Sequence, residues 1–215
     1  MGFWIVMKSI LHLAYFPNIA HFTALVQGKS SVFEVCDNYT KQTYRNRTCI
    51  YGANGKLQLN IPVNHTQKER QLYKDVKIAN DYKWQIQHFK SLESAYKTSP
   101  FFEYYEDELK PLFEVKIEYL MDFNFKCLET IIECLQLSLN YTKTKQYNTS
   151  ANTVQDFRPL VQCKKEIPQQ FETYTQVFDA KYGFIPNLSI IDLLCNEGPN
   201  TLTYLERQSV NLVKF

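Results

Sequence analysis

The sequence predicts a mixed α/β fold in a single domain spanning 1–215, in which an N-terminal strand-helix-strand and a β-hairpin form a sheet covered by C-terminal helices. Three observations carry this prediction. The 215 residues suit one domain, at about 150 residues each, with at most a small appendage. Apolar residues make up 45% and charged residues 21%, a globular mixture that sets aside disorder, collagen-like repeats and coiled coil. The apolar pattern alternates strand and helix over the first 36 residues and reads mainly as helix from residue 81 onward.

Ile5 to Leu13 reads as the first strand. Pro17-Asn18-Ile19-Ala20-His21-Phe22 then opens a helix that places Ile19, Phe22, Leu25 and Val26 on one face, and Gly28 ends it. Val32 to Cys36 is a short β-branched and aromatic run, and a helical crossover makes the two strands parallel. Thr48 to Gly52 and Lys56 to Ile61 flank Ala53-Asn54-Gly55, where an Asn-Gly pair suits the positive φ values of a tight hairpin turn. A strand is expected at Val76 to Ala79. Asp81 is expected to cap a helix to about Lys97, with Trp84, His88, Leu92 and Tyr96 at spacings of four on one stripe. Pro100 and Pro111 divide the next segment into short helices, and Met121 to Leu137 gives a longer one with Phe125, Leu128, Ile132 and Leu135 inward. Residues 141–153 read as a strand end and an exposed loop. Ser189 caps Ile190 to Cys195, Gly198-Pro199 ends that helix, and Thr201 to Gln208 forms the last.

No run of about eighteen apolar residues exists, so no membrane span is expected. Phe3 to Met7 and Ile10 to Leu13 are separated by Lys8 and broken off by His12. Six cysteines and six Asn-x-Ser/Thr sites, at Asn38, Asn46, Asn64, Asn140, Asn148 and Asn187, are the pattern of a secreted glycoprotein. The amino terminus opposes that reading. Met1 to Tyr15 lacks a leading positive charge and a small-x-small cleavage site, carries Lys8 in its middle, and fits a buried strand better than a signal peptide. Val6 stands where a myristoylation signal on Gly2 needs Ser or Thr. Cys127 and Cys134, seven apart on one helix, would lie about 10.5 Å apart along its axis, too far to bridge each other. A cytoplasmic protein with free thiols is the expectation.

The net charge of +2 makes no case for a nucleic-acid partner, and none is expected. The distribution of charge is more informative. Residues 38–68 hold Lys41, Arg45, Arg47, Lys56 and Lys68 and no acid, whereas residues 100–122 hold seven acids against Lys110 and Lys116. Arg offers a planar fork of donors matched to phosphate oxygens, so the basic segment is a candidate for a phosphorylated ligand. The alternative is that Arg45 and Arg47 pair with the acidic helices. Strand alternation would place Arg45 and Arg47 on one face and Tyr44 and Asn46 on the other. His88 is a candidate acid or base, with a satisfied core histidine as the alternative. Asp192 could orient such a base or merely stabilise a capped helix N-terminus. The rings of Phe101, Phe102, Tyr104 and Tyr105 suit sugar stacking or, alternatively, core and interface. Signatures of zinc hydrolysis, P-loop nucleotide cleavage, dinucleotide redox chemistry and serine hydrolysis are all absent. The sequence therefore points to no metal and leaves any cofactor unknown.

A long ordered set of stretches resembles the WbqC-like protein family, in the form found in Bacteroidetes: AYFPNIAHF (14–22), FEVCDNYTKQTYRNRTCIYGANGKLQLNIPV (33–63), YKDVKI (73–78), WQIQHFKSLESAYKTSPFFEYYEDEL (84–109) and FIPNLSIIDLLCNEGPNTL (184–202). The resemblance implies a cytoplasmic protein of O-antigen or other surface-polysaccharide biosynthesis. Acyl or aminoacyl transfer to an activated amino sugar is the implied activity. Its partners would be a nucleotide-linked or carrier-linked sugar and an acyl donor thioester. The family's Tyr-Phe-Pro turn falls on Tyr15, Phe16 and Pro17, its lysine and Asn-Arg pair on Lys41, Asn46 and Arg47, its helical histidine on His88, and its Ser-x-x-Asp on Ser189 and Asp192. The chain departs from the family pattern at the end of the second strand, where Val35-Cys36-Asp37 stands in place of an acidic pair. It departs again over 141–183, which does not reproduce the longer glycine-containing segment that many members outside Bacteroidetes carry before the last helices.

On this reading the Tyr15 turn, the Lys41 to Arg47 segment and His88 converge on one concave face. Lys41, Arg45 and Arg47 hold phosphates, Asn46 orients an amine or carbonyl, and His88 removes the amine proton. The rival expectation is a non-catalytic binding or assembly module that uses the aromatic and acidic surface from Phe101 to Asp107.

Overall fold

The computed structural model describes residues 8–28, 30–64, 70–147 and 154–212, with Val154 described in its backbone alone. The expected start of the first strand at Ile5, the Met1-Gly2 terminus, Lys68, the site at Asn148 and the loop over 148–153 lie outside the described residues.

Four parallel strands form the main sheet in the order β5-β2-β1-β6. These are β1 (Lys8–His12), β2 (Ser31–Glu34), β5 (Tyr141–Lys143) and β6 (Val154–Asp156). The β1–β2 register runs from Ser9 opposite Ser31 to His12 opposite Glu34. Ser9 through His12 are all buried, because a parallel sheet is covered on both faces. Helix α1 (Ile19–Gln27) makes the crossover between β1 and β2, and the Asn18 side chain caps it by accepting from His21 N at 3.0 Å. Gly28 follows the helix where a Cβ would come within 2.8 Å of Ser9 Oγ.

The hairpin lies where the sequence placed it, as β3 (Arg47–Gly52) and β4 (Gly55–Asn60), but it forms a two-stranded sheet of its own and does not extend the parallel one. Its inward residues Ile50 and Leu59 join the main core beneath helix α2 (Trp84–Tyr96), which packs on β3. Only Gly55 takes a positive φ, 97°. Asn54 does not, so the turn is one in which a single left-handed glycine follows the bend.

Two expected local signals give way to tertiary pairing. Val76 to Ala79 is extended but not a strand, because its backbone bonds alternate between different neighbours. Ile78 N donates to Glu118 O, Ala79 N donates to Pro62 O, and Leu120 N donates to Val76 O. No single ladder can propagate. Helix α2 begins at Trp84 with Lys83 as an N-cap that makes no side-chain bond, so Asp81 caps nothing. The stripe itself is as expected, with Trp84, His88, Leu92 and Tyr96 all buried.

Helices α3 (Phe102–Leu109) and α4 (Leu120–Cys134) pack on each other, and α3 also meets α6 (Ile190–Glu197). On α4 Phe125 and Leu128 are buried as expected, but of the pair Ile131 and Ile132 it is Ile131 that is fully buried and Ile132 that is only partly covered. A short turn of helix, α5 (Asp179–Tyr182), precedes α6, and α7 (Thr201–Arg207) closes against α1. Ser189 caps α6 as expected, accepting from Ile191 N at 3.3 Å.

The amino termini of α1 and α6 lie side by side. Ile190 N donates to Pro17 O, and Ile19 N donates to Leu188 O. Between them Phe16 holds φ at 36°, a costly value for an aromatic residue. Its carbonyl accepts from both Thr48 Oγ1 at 2.9 Å and Ser189 Oγ at 3.0 Å, and these bonds fix the turn.

Candidate functional site

Because all four strands run the same way, their carboxyl ends share one edge, and three of these ends carry His12, Glu34 and Asp156. Crevices at the carboxyl ends of parallel strands are where open α/β sheets bind ligands. A cleft of about 320 Å³ opens there, lined by His12, Cys36, Asp37, Thr40, Arg45, Tyr147 and neighbouring residues.

Arg45 is 2% exposed. Its guanidinium forms an ion pair with Asp37 and lies over the Tyr73 ring, 5.2 Å from the centroid. Its carbonyl accepts from Asn124 Nδ2 at 2.6 Å. Asp37 also approaches His12, whose Nδ1 lies 3.5 Å from Asp37 Oδ2. Burial pushes the Asp37 carboxyl up to about 6, against the pull of Arg45 and with a further push from Glu34. His12 is held down to about 2, first by burial and then by the charges of Arg45, Arg158 and His21, so it is a neutral imidazole.

A second group flanks this one. Glu34 Oε1 accepts from Cys36 N and from Thr144 Oγ1, each at 2.8 Å. Its other oxygen stands 4.0 Å from Arg158 Nη1. Arg158 grips Asp156 with two donors, at 2.9 and 2.7 Å. His12 Nδ1, Glu34 Oε2, Asp37 Oδ1 and Arg45 Nε are all buried without a hydrogen-bond partner. Buried polar groups are nearly always paired, so four orphans around one cleft make it a candidate site.

Lys41, Asn46 and Arg47 line a second cleft of about 340 Å³ together with Tyr39, Asn60 and Pro62. Asn46 Nδ2 donates to Ile61 O at 3.0 Å, while Asn46 Oδ1 and Arg47 Nε have no partner. Arg45 and Arg47 thus face different clefts. The alternation expected of them fails because the segment is not a strand: Gln42 has φ 61°, the chain turns through Tyr44 to Asn46, and β3 begins only at Arg47. Nor does Arg45 pair with the acidic helices, since its partner is Asp37.

The remaining sequence-named residues lie inside the molecule. Tyr15 and His88 meet, with the Tyr15 hydroxyl 2.9 Å from His88 Nδ1 and the rings stacked at 5.7 Å. Burial lowers His88 to about 4 and raises the Tyr15 phenol well above its ordinary value. Neither residue lines either cleft. Asp192 is fully buried and accepts from Tyr96 Oη at 2.9 Å, Tyr174 Oη at 2.5 Å and Gln176 Nε2 at 2.9 Å. Burial raises its carboxyl, and those three donors oppose the rise. The structure therefore brings Lys41, Asn46 and Arg47 together, sets Arg45 in the adjoining cleft, and pairs Tyr15 with His88. Asp192 stands in a separate network.

Sequence reasoning missed His12, Glu34, Asp37, Tyr147 and Arg158. The signal for the first three was present, as ionisable residues at the ends of two strands expected to be parallel. Among the described residues no group of three or more His, Cys, Asp or Glu side chains is arranged to hold a metal ion, and no helix is long and apolar enough to cross a membrane.

No curated protein and no solved structure matches the chain. One family profile does, over residues 14–167. That span takes in α1, β2, the hairpin, α2 to α4, β5 and β6, and most residues of both clefts. The chain therefore belongs to the WbqC-like protein family.

Proposed function

We propose that this chain, acting as one domain and a Bacteroidetes-type member of its family, serves surface-polysaccharide biosynthesis by acyl or aminoacyl transfer to the amine of an activated amino sugar. The family assignment supports the pathway class. The observation that carries the chemistry is Asp37 at the sheet edge, a carboxyl that lines the cleft and is pushed up to about 6 between Arg45 and a neutral His12. A base with a pKa just below neutrality is ionised at working pH yet still holds a transferred proton.

In this mechanism the amine nitrogen attacks the carbonyl carbon of a thioester. The new C–N bond forms, the C–S bond breaks, the thiolate leaves, and Asp37 takes the amine proton. Arg45 fixes the orientation of the carboxylate. Tyr147 offers a ring for the sugar, and the cleft has room for one sugar unit. Lys41 and Arg47 in the second cleft take the phosphates of a nucleotide or carrier, with Asn46 beside them. His88 and Tyr15 position the Tyr-Phe-Pro turn from within, and Asp192 anchors the helices behind it. The proton falls to Asp37 and not His88 because His88 lines neither cleft. Substrates of this kind are cytoplasmic, and the proposal places the protein there.

Thermal shift of the purified chain against nucleotide sugars, amino sugars and coenzyme A thioesters tests this reading, with Arg47→Ala in parallel. A ligand at about a hundred times its Kd stabilises by roughly 2.7 kcal/mol, a shift of several degrees. A shift with one class, lost in Arg47→Ala, and turnover lost in Asp37→Asn support it. A second reading, a non-catalytic assembly module, draws on Tyr104, which is 68% exposed beside Glu103, Asp107 and Glu108. Such a module leaves every candidate substrate chemically unchanged.

A further inference from the structure

On the hairpin, Cys49 and Gln58 are cross-strand partners, so their side chains share one face. Cys163 reaches that face from the segment that follows β6. Its Sγ lies 3.6 Å from Gln58 Oε1, it packs on the small apolar cluster containing Cys49, and each of the two thiols perturbs the proton affinity of the other. Cys49 is buried and Cys163 is partly exposed, and both are free thiols. The cations nearest Cys163 are Arg47 and Lys56.

The other cysteines are placed differently. Cys127 and Cys195 are fully buried, and burial pushes both thiols up. Burial also raises Cys134, to about 12. Cys36 donates to Thr144 O at 3.5 Å and lies apart from the hairpin.

We infer that Cys49 and Cys163 form a site of reversible thiol oxidation, in which a peroxide or a small-molecule disulfide acts on Cys163 and Cys49 resolves the product into a Cys49–Cys163 disulfide. The geometry divides the roles. Cys163 is the sulfur that solvent can reach and it lies near the cations Arg47 and Lys56, which favour its thiolate, while Cys49 is buried behind it. With hydrogen peroxide the Cys163 thiolate attacks one oxygen, the O–O bond breaks, and hydroxide leaves and takes up the proton that the Cys163 thiol released, giving a sulfenic acid and water. The Cys49 sulfur then attacks that sulfur, the S–S bond forms, the S–O bond breaks, and the departing hydroxide takes the Cys49 proton to become water. Two thiols are oxidised, one peroxide is reduced to two waters, and a dithiol reverses the product.

The bond would join two parts of the cleft walls. The segment of Cys163 is held to the Tyr39 to Arg47 stretch by Tyr44 N donating to Val161 O at 2.8 Å and by the pairing of Thr43 with Gln162. Val161 and Gln162 line the sheet-edge cleft. Oxidation therefore staples the hairpin to the segment that walls the sheet-edge cleft, whatever substrate it holds.

The test uses the full chain under native conditions. On the unmutated protein, iodoacetamide is expected to label Cys163 about tenfold faster than Cys36. Dilute hydrogen peroxide is expected to give a Cys49–Cys163 linked peptide, with a loss of about 2 Da from the intact mass that dithiothreitol restores. Cys49→Ser is expected to stop at a sulfenic acid on Cys163, trapped by a cyclic 1,3-diketone, and Cys163→Ser to form no link. Equal labelling of Cys36 and Cys163, or oxidation that goes to Cys36 or Cys134 with no linked peptide, would overturn the inference. These readouts involve no sugar or thioester, so they stand or fall separately from acyl transfer.

Discussion

The Asp37 and Arg45 side chains are 7% and 2% exposed, so each is tolerable in the interior only because the other is there. Arg45→Ala leaves Asp37 without its cation and is expected to cost about 3–5 kcal/mol, read as a lower denaturant midpoint. Asp37→Asn is the more informative change. It keeps an acceptor for Arg45 and nearly the same volume, so the chain is expected to fold, while the loss of the base lowers turnover by about 10²–10⁴-fold. Full activity in Asp37→Asn would remove Asp37 from the chemistry. Side-chain identity was legible in the sequence for Arg45, Arg47 and Asn46, and their basic, acid-free neighbourhood pointed to a ligand. Which cleft each residue faces was not, because a single bend at Gln42 rotates everything after it.

Between elements, the Tyr96 hydroxyl joins α2, β3 and α6 by donating to Asp192 and accepting from Tyr51 N at 3.1 Å. Tyr96→Phe leaves that buried N–H without its acceptor and is expected to cost about 1–3 kcal/mol, with calorimetry as the check. The end of α6 is equally constrained. Gly198 has φ 52°, and a Cβ there would come within 2.5 Å of the Phe101 ring. Gly198→Ala combines an unfavourable backbone region with overpacking, and a loss of about 1–3 kcal/mol is expected. An unchanged melting temperature would show that Phe101 yields at little cost. The helix stop at Gly198-Pro199 was readable from sequence alone. The ring that makes glycine necessary is that of Phe101, just before α3 and 97 residues earlier in the chain.

Across the whole molecule, His12, His21 and His88 are buried and held neutral, lowered by burial from 6.5 to about 2, 4 and 4. A histidine with a depressed folded pKa takes up its proton first in the unfolded chain. Its stabilising contribution is therefore complete above about pH 6.5 and is lost as the pH falls. Between pH 6.5 and 5 the loss is about 2 kcal/mol for each histidine. Asp37, raised from 3.8 to about 6, works the other way, since its contribution is present below about pH 4 and is lost as pH rises to 6. Asp192, whose carboxyl burial also raises, acts with Asp37, and two carboxyls against three histidines leave a net acid lability. The urea midpoint is expected to fall from pH 7 to pH 5, and a rise over that range would contradict the burial of these rings.

The sequence by itself determined the elements that rest on local preference: the strand-helix-strand start, the Ser189 cap, the hairpin site and the apolar stripe of α2. It also carried the family, whose resemblance spans stretches from Ala14 to Leu202. Only the tertiary structure decided the composition of the sheet. Strands β5 and β6 are three residues each, too short to show a period, and they become strands only because β2 and β1 supply their backbone partners. It also decided the site. Bringing His12, Glu34, Asp37, Arg45 and Arg158 to one edge requires parallel strands from both halves of the chain, and burial there lowers the His12 imidazole and raises the Asp37 carboxyl. No local pattern encodes a neighbour more than a hundred residues away, which is why the chemistry at that edge becomes visible only in the folded molecule.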